Sequence, residues 1–108
     1  MSRDELQLLQ GTLDLLILRA LSEAPMHGYG MARWIVSASG DALRIEEGSL
    51  YPALYRLEGK GWLASAWKTA ESGRRARVYR LTAAGRRALG DERSQWKAFA
   101  AAVAKVLS

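Results

Sequence analysis

The stretch Gly48-Ser49-Leu50-Tyr51-Pro52-Ala53-Leu54-Tyr55-Arg56-Leu57-Glu58-Gly59-Lys60-Gly61 constrains the fold more than any other part of this chain. At about 100° per residue, Leu50, Ala53, Leu54 and Leu57 fall on one side of a helix. Ser49, Tyr51, Pro52, Tyr55, Arg56 and Gly59 fall across the other side. A proline is harmless only where a helix has no use for its N–H, within the first helical positions. Ser49 as N-cap would place Pro52 third, and its hydroxyl would accept from a free amide there. Gly61 is a natural C-terminal stop. Two tyrosines, a proline and an arginine are poor choices for a face that needs only to be wet. Either this is a core helix with aromatic overhang, or its outer face meets a partner.

Charge narrows the choice of partner. The 108 residues make one domain with a net charge of +5. From Lys68 to Arg87 stand Lys68, Arg74, Arg75, Arg77, Arg80, Arg86 and Arg87 against Glu71 alone, a net of +6. Such a cluster favours a polyanion, nucleic acid first and an anionic membrane second. No apolar run reaches the roughly 18 residues that span a bilayer, so a membrane-embedded role is not expected. The amino terminus lacks the basic start and cleavage site of a signal peptide, and there are no cysteines. A cytoplasmic location fits both features. His27 is the only histidine, so a helix-start or turn role is expected rather than a metal site, and no cofactor is expected.

Around the opening stretch the chain alternates between helical and extended periods. Residues 4–23 follow helical spacing through Leu6, Leu9, Leu13, Leu16, Ile17 and Ala20, and Pro25 ends the run. A second stripe, Leu8, Leu15 and Leu18, flanks Gly11 on another face, which suggests an own-core side and a partner side. A second helix is expected from Tyr29 to Ser39, stopped by Gly40, and Leu43-Arg44-Ile45 could form a very short strand. After Gly61 the period changes to two. Residues 62–68 and 75–81 read as strands joined by a polar turn, with Arg77, Tyr79 and Leu81 on one face of the second. Thr82 then caps a last helix, in which Gly85 and Gly90 are weak points and Gly90-Asp91 offers a place for a break. Leu89, Trp96, Phe99, Val103 and Val106 or Leu107 recur as in a short coiled-coil seam, which must pack on something.

The expected fold is α+β and mostly α: a winged helix-turn-helix over residues 1–82, followed by a C-terminal dimerisation helix over residues 83–108. A major groove about 12 Å wide admits one helix. The third helix would offer Ser49, Tyr51, Pro52, Tyr55 and Arg56 to double-stranded DNA, with Arg56 suited to guanine edges. Arg74, Arg75 and Arg77 of the wing would take phosphates or the adjacent minor groove. Tyr29, Lys60 and Tyr79 complete the expected DNA-binding set.

The same residues carry a resemblance. The chain resembles the PadR family of bacterial transcriptional regulators, in the subgroup with a short C-terminal region. The matching pieces are Gly11-Thr12-Leu13-Asp14-Leu15-Leu16-Ile17-Leu18, His27-Gly28-Tyr29, Gly48 to Glu58, Gly61-Trp62-Leu63 and Tyr79-Arg80-Leu81-Thr82-Ala83-Ala84-Gly85. They span residues 11–96 in the family's order, and Gly-Ser-Leu-Tyr-Pro-Ala-Leu is the most specific of them. Gly30 stands where a larger residue is commoner, and Tyr55 where a histidine or other polar residue is frequent, which bears on base preference. The resemblance implies a homodimer on a palindromic operator, acting mostly as a repressor. Its interface would involve Leu8, Leu15, Leu18, Leu89, Trp96, Phe99, Val103 and Leu107. It also implies an effector site for a planar hydrophobic small molecule, with Trp96 stacking and Leu8, Gly11, Leu15 and Leu18 as walls. Trp96 as a simple plug of the dimer core is the alternative.

Two other classes of function are weighed against this. A ligand-sensing or protein-interaction module could keep the winged fold without using DNA, but the arginine-rich wing argues against it. RNA readers usually display aromatics on a sheet or loop, whereas these tyrosines are on a helix. An enzyme is the weakest class, because no Ser/His/Asp set, metal cluster or phosphate-binding glycine loop can be placed.

Overall fold

A computed structural model describes the backbone of residues 3–108 and the side chains of residues 11–108. The elements are α1 (Arg3–Glu23), β1 (Met26–His27), α2 (Gly28–Ala38), α3 (Glu47–Gly59), β2 (Leu63–Thr69), β3 (Arg75–Leu81) and α4 (Ala83–Leu107). The apolar faces of α1, α2 and α3 converge on one core in which Ile17, Leu18, Met31, Ile35, Leu50, Leu54 and Leu57 are fully buried. Leu63, Tyr79 and Leu81 close that core from the sheet. The three strands are antiparallel in the order β1-β3-β2, with Leu63 opposite Leu81 and Thr69 opposite Arg75.

Local chemistry sets the joints. His27 is the N-cap of α2, its Nδ1 accepting from the Gly30 N–H at 3.0 Å. The third helix ends in a Schellman motif: Gly61, at φ 78°, donates to the Glu58 carbonyl at 2.9 Å and Trp62 to the Leu57 carbonyl at 3.1 Å. Thr82 caps α4 by accepting from the Gly85 N–H at 3.0 Å, while its hydroxyl donates to the Gly61 carbonyl at 2.7 Å. One threonine thus ties the end of α3 to the start of α4.

Several expectations are corrected. The N-cap of α3 is Glu46, not Ser49, and Pro52 lies inside the helix. The proline withholds one hydrogen bond from the carbonyl of Gly48, which lies in the exposed first turn and is open to water. Residues 43–45 do not form a strand; the short strand is Met26–His27, which pairs with β3 through Met26 opposite Tyr79 and His27 opposite Val78. Gly90 does not break α4, which runs unbroken to Leu107.

Only the first turns of α4 belong to the core, through Gly85, Ala88 and Leu89. Beyond them the helix is almost wholly exposed, and Trp96, Phe99, Val103, Val106 and Leu107 stand in solvent in the single chain. Leu18 and Leu89, expected at a partner interface, are instead buried in the chain's own core at 0% and 8% exposure. On α1, Leu18 lies about 60° from Leu15 on one side and about 60° from the buried Leu21 on the other, so it forms the edge of the core arc and the core takes it. Leu15 is half-buried and Gly11 is exposed, with no atom of the described residues within 4 Å of where its Cβ would be. The expectation for Leu8 lies outside the residues whose side chains are described.

Candidate nucleic-acid interface

The outer face of α3 is built from side chains the core cannot use. Ser49, Tyr51 and Pro52 are exposed, and Tyr55 is 83% exposed. Tyr51 leans across the start of α2, where a Cβ added to Gly28 would meet its hydroxyl at 3.0 Å. Glycine there lets the two helices close up. Beside this contact Tyr29 is exposed, stacked on His27 at 6.4 Å and 12°, with the Arg33 guanidinium 5.7 Å from its ring centroid. Lys60, at the C-cap, lies over the Trp62 ring at 4.6 Å.

Arg56 does not face outward as expected. Its guanidinium turns to Asp14 of α1, with Nη2 to Oδ1 at 2.7 Å in a partly buried pair. Asp14 sits on the core side of α1, and burial raises its pKa above 3.8, opposed by the charge and hydrogen bond of Arg56 and by Lys60. The pair therefore anchors α3 to α1 and takes the Arg56 guanidinium off the outer face of the helix.

Because the pKa of Asp14 is raised on folding, the unfolded chain loses this proton first as pH rises. Folding stability then declines as pH climbs from 3.8 through the raised value. Asp14→Asn should flatten that part of a stability-against-pH curve and change stability at neutral pH by no more than about 1 kcal/mol, since the pair is partly solvated. Denaturant melts of both proteins from pH 3 to 7 check this; parallel curves would contradict it.

The wing is fastened to α3 by a second polar cluster. Ser65 donates to Glu58 at 2.8 Å, Arg77 Nε donates to the Ser65 hydroxyl at 2.8 Å, and the Arg77 guanidinium meets Glu58 at 3.4 Å. Arg77 thus works first as a strut between β3 and α3. Tyr79, expected to reach DNA, is 7% exposed beneath it, and the Arg77 guanidinium lies 5.9 Å from its ring. Burial raises the Tyr79 pKa above 10.0, with Arg77 opposing and Glu58 and Tyr51 adding to it. Arg74 and Arg75 are exposed at the hairpin tip, where Gly73 takes φ 87° to close the turn.

Asp14, Glu58 and Trp67 have no place in the sequence-based site. Asp14 and Glu58 are the carboxylates that two of the expected DNA-binding arginines use. Trp67, 58% exposed on β2, shares a face with Leu63 and Ser65, a position the alternating pattern already contained.

Three helices with a β-hairpin fastened beside the third define a winged helix-turn-helix protein. The chain belongs to the transcriptional regulator PadR-like family, whose model matches residues 17–91. Transcriptional regulator Rv3488 of Mycobacterium tuberculosis (strain ATCC 25618 / H37Rv) is 39% identical over 77 residues, covering 71% of this chain and 68% of that protein. A transcriptional regulator from Clostridium thermocellum has the same fold, with a TM-score of 0.86 and 26% identity over 94% of this chain and 99% of the other. A PadR family transcriptional regulator from Eggerthella lenta DSM 2243 gives 0.78 and 37% identity over 95% and 88%. The chain is thus of a family that regulates transcription by binding DNA. Among the described residues, no helix is long and apolar enough to cross a membrane.

Proposed function

We propose that two copies of this chain bind a palindromic operator in the cytoplasm and repress transcription. The observation that carries this reading is the exposed Ser49, Tyr51, Pro52 and Tyr55 face of α3 beside the basic hairpin tip of Arg74 and Arg75. The helix enters the major groove, and the tip reaches phosphates or the next minor groove. Residues 1–82 do the DNA binding, and within residues 83–108 the outer part of α4 supplies the dimer seam through Trp96, Phe99, Val103 and Leu107. A planar hydrophobic effector would enter between Trp96 and the Gly11 and Leu15 side of α1, and its binding would release DNA. The exposure of Gly11 and of Trp96 supports that site.

A footprint on the promoter of its own operon tests the proposal, and absence of salt-sensitive protection of any palindrome would sink it. Two variants then divide the labour. Tyr55→Ala should relax preference at one base position by roughly 1–3 kcal/mol, whereas Arg74→Ala should weaken all sequences alike and reduce the salt slope by about one. Equal loss of specificity from both would contradict the assignment.

A further inference from the structure

The wing carries an aromatic side chain that the core does not use. On the core-side face of the hairpin run Leu63, Ser65 and Trp67 from β2, opposite Leu81, Tyr79 and Arg77 of β3. Burial falls off along this face towards the tip. Leu63, Leu81 and Tyr79 are buried, Ser65 is intermediate, and Arg77 and Trp67 are exposed. Trp67 is therefore the first aromatic beyond the point where the chain's own helices cover the hairpin. Over its ring, at 5.4 Å from the centroid, lies the guanidinium of Arg75. Arg77, directly across the ladder, is held back by Ser65 and Glu58. Two arginines of the same strand face thus have different tasks: Arg77 braces the wing, and Arg75 is held out on an indole.

A half-exposed tryptophan adds little to folding, and a threonine would serve a strand as well. What an indole adds here is a flat apolar surface under the Arg75 guanidinium, near the exposed tip of the hairpin. DNA presents the matching pattern, apolar deoxyribose rings alternating with phosphates. An arginine resting on an aromatic face keeps its N–H edges for an anion while losing little freedom on binding.

We propose that Trp67 is a DNA-binding residue of the wing, its indole packing on the sugar backbone while holding the Arg75 guanidinium against a phosphate. The proposal rests on the operator-binding reading above, and it assigns part of the wing's contact to a side chain outside the basic set. The brace from Glu58 through Ser65 and Arg77 keeps the platform at a set distance from α3, so both reach the same duplex.

The test is operator affinity against salt concentration for wild type, Trp67→Ala, Trp67→Phe, Arg75→Ala and the Trp67→Ala/Arg75→Ala double variant, each first shown to melt like wild type. Trp67→Ala should weaken binding roughly tenfold, about the worth of a desolvated cation–π contact. It should also lower the salt slope by about one, as loss of a phosphate contact does. Trp67→Phe, which keeps a ring under the guanidinium, should stay within about threefold of wild type. The double variant should be weaker than Arg75→Ala by less than Trp67→Ala is weaker than wild type, because one residue acts partly through the other. Operator DNA should also quench wild-type emission more than that of Trp67→Phe. Wild-type affinity and slope in a folded Trp67→Ala would overturn the proposal while leaving the operator-binding reading intact. No salt-sensitive DNA binding by wild type would remove both. Phosphatidylglycerol vesicles are the control for an anionic membrane. A Trp67-dependent emission shift with vesicles and none with DNA would replace the proposal with membrane binding.

Discussion

Gly85→Ala should be among the most destabilising single-methyl changes this protein can suffer. The added Cβ would overlap the Trp62 carbonyl oxygen, stand 3.0 Å from its carbonyl carbon and 2.8 Å from Leu81 Cδ1. Leu81 could rotate away, but the Trp62 carbonyl has no such freedom. It already accepts from the Thr82 N–H at 3.1 Å, next to the Gly61 carbonyl that takes the Thr82 hydroxyl. Relief therefore requires α4 to lift off the β2 start, loosening its N-cap and the burial of Ala88 and Leu89. Overpacking usually costs about 1–3 kcal/mol, and a backbone obstacle puts this case at the upper end or beyond. Against a total stability of roughly 5–15 kcal/mol, that is a large share. Urea melts should show a lower midpoint at unchanged slope. Gly59→Ala is the contrast: no atom lies within 4 Å of its Cβ, and the helix should gain up to about 1 kcal/mol. Equal stability of Gly85→Ala and wild type would mean that α4 docks differently.

The glycine's role was hidden because composition says only that glycine weakens a helix, while the reason for Gly85 lies in a carbonyl 23 positions away. The same limit explains Arg56. A helical wheel places it on the outer side of α3, and nothing local reveals that Asp14, 42 residues earlier, waits within reach of a long side chain. Pro52 misled in another way. The rule that confines proline to the first turn places the helix start at Ser49, whereas the helix begins at Glu47 and carries Pro52 in its second turn. By contrast, the leucines of α3 and the two long strands were legible, because each repeats one period over several residues and the core enforces it. The short strand was not: Met26–His27 has two residues, too few to carry any period, and its existence depends on the open edge of β3.

On the proposed dimeric reading, Phe99→Glu combined with Val103→Glu should leave a folded monomer and cost more than a hundredfold in operator affinity. Trp96, Phe99, Val103 and Val106 or Leu107 recur at spacings of three and four along one stripe of α4. Much of that stripe is open to solvent among the described residues: Phe99 is 54% and Trp96 47% exposed. The inner turns of α4 pack on the core through Ala88 and Leu89, so charges further out should leave the winged domain intact. Two glutamates on this stripe would put charge where the proposed interface needs apolar burial. DNA affinity should follow, because two winged domains on half-sites about one helical turn apart bind with an avidity that separate domains lack. Linking two sites commonly contributes about 10²–10⁴ in affinity, so the monomer should fall by at least the lower figure. Sedimentation reads the assembly, circular dichroism the fold, and a gel shift on a full and a half operator the affinity. A variant that stays dimeric would place the interface elsewhere. A folded monomer that binds the full operator as tightly as wild type would show that each winged domain binds alone, and that the seam on α4 serves some purpose other than reading a palindrome.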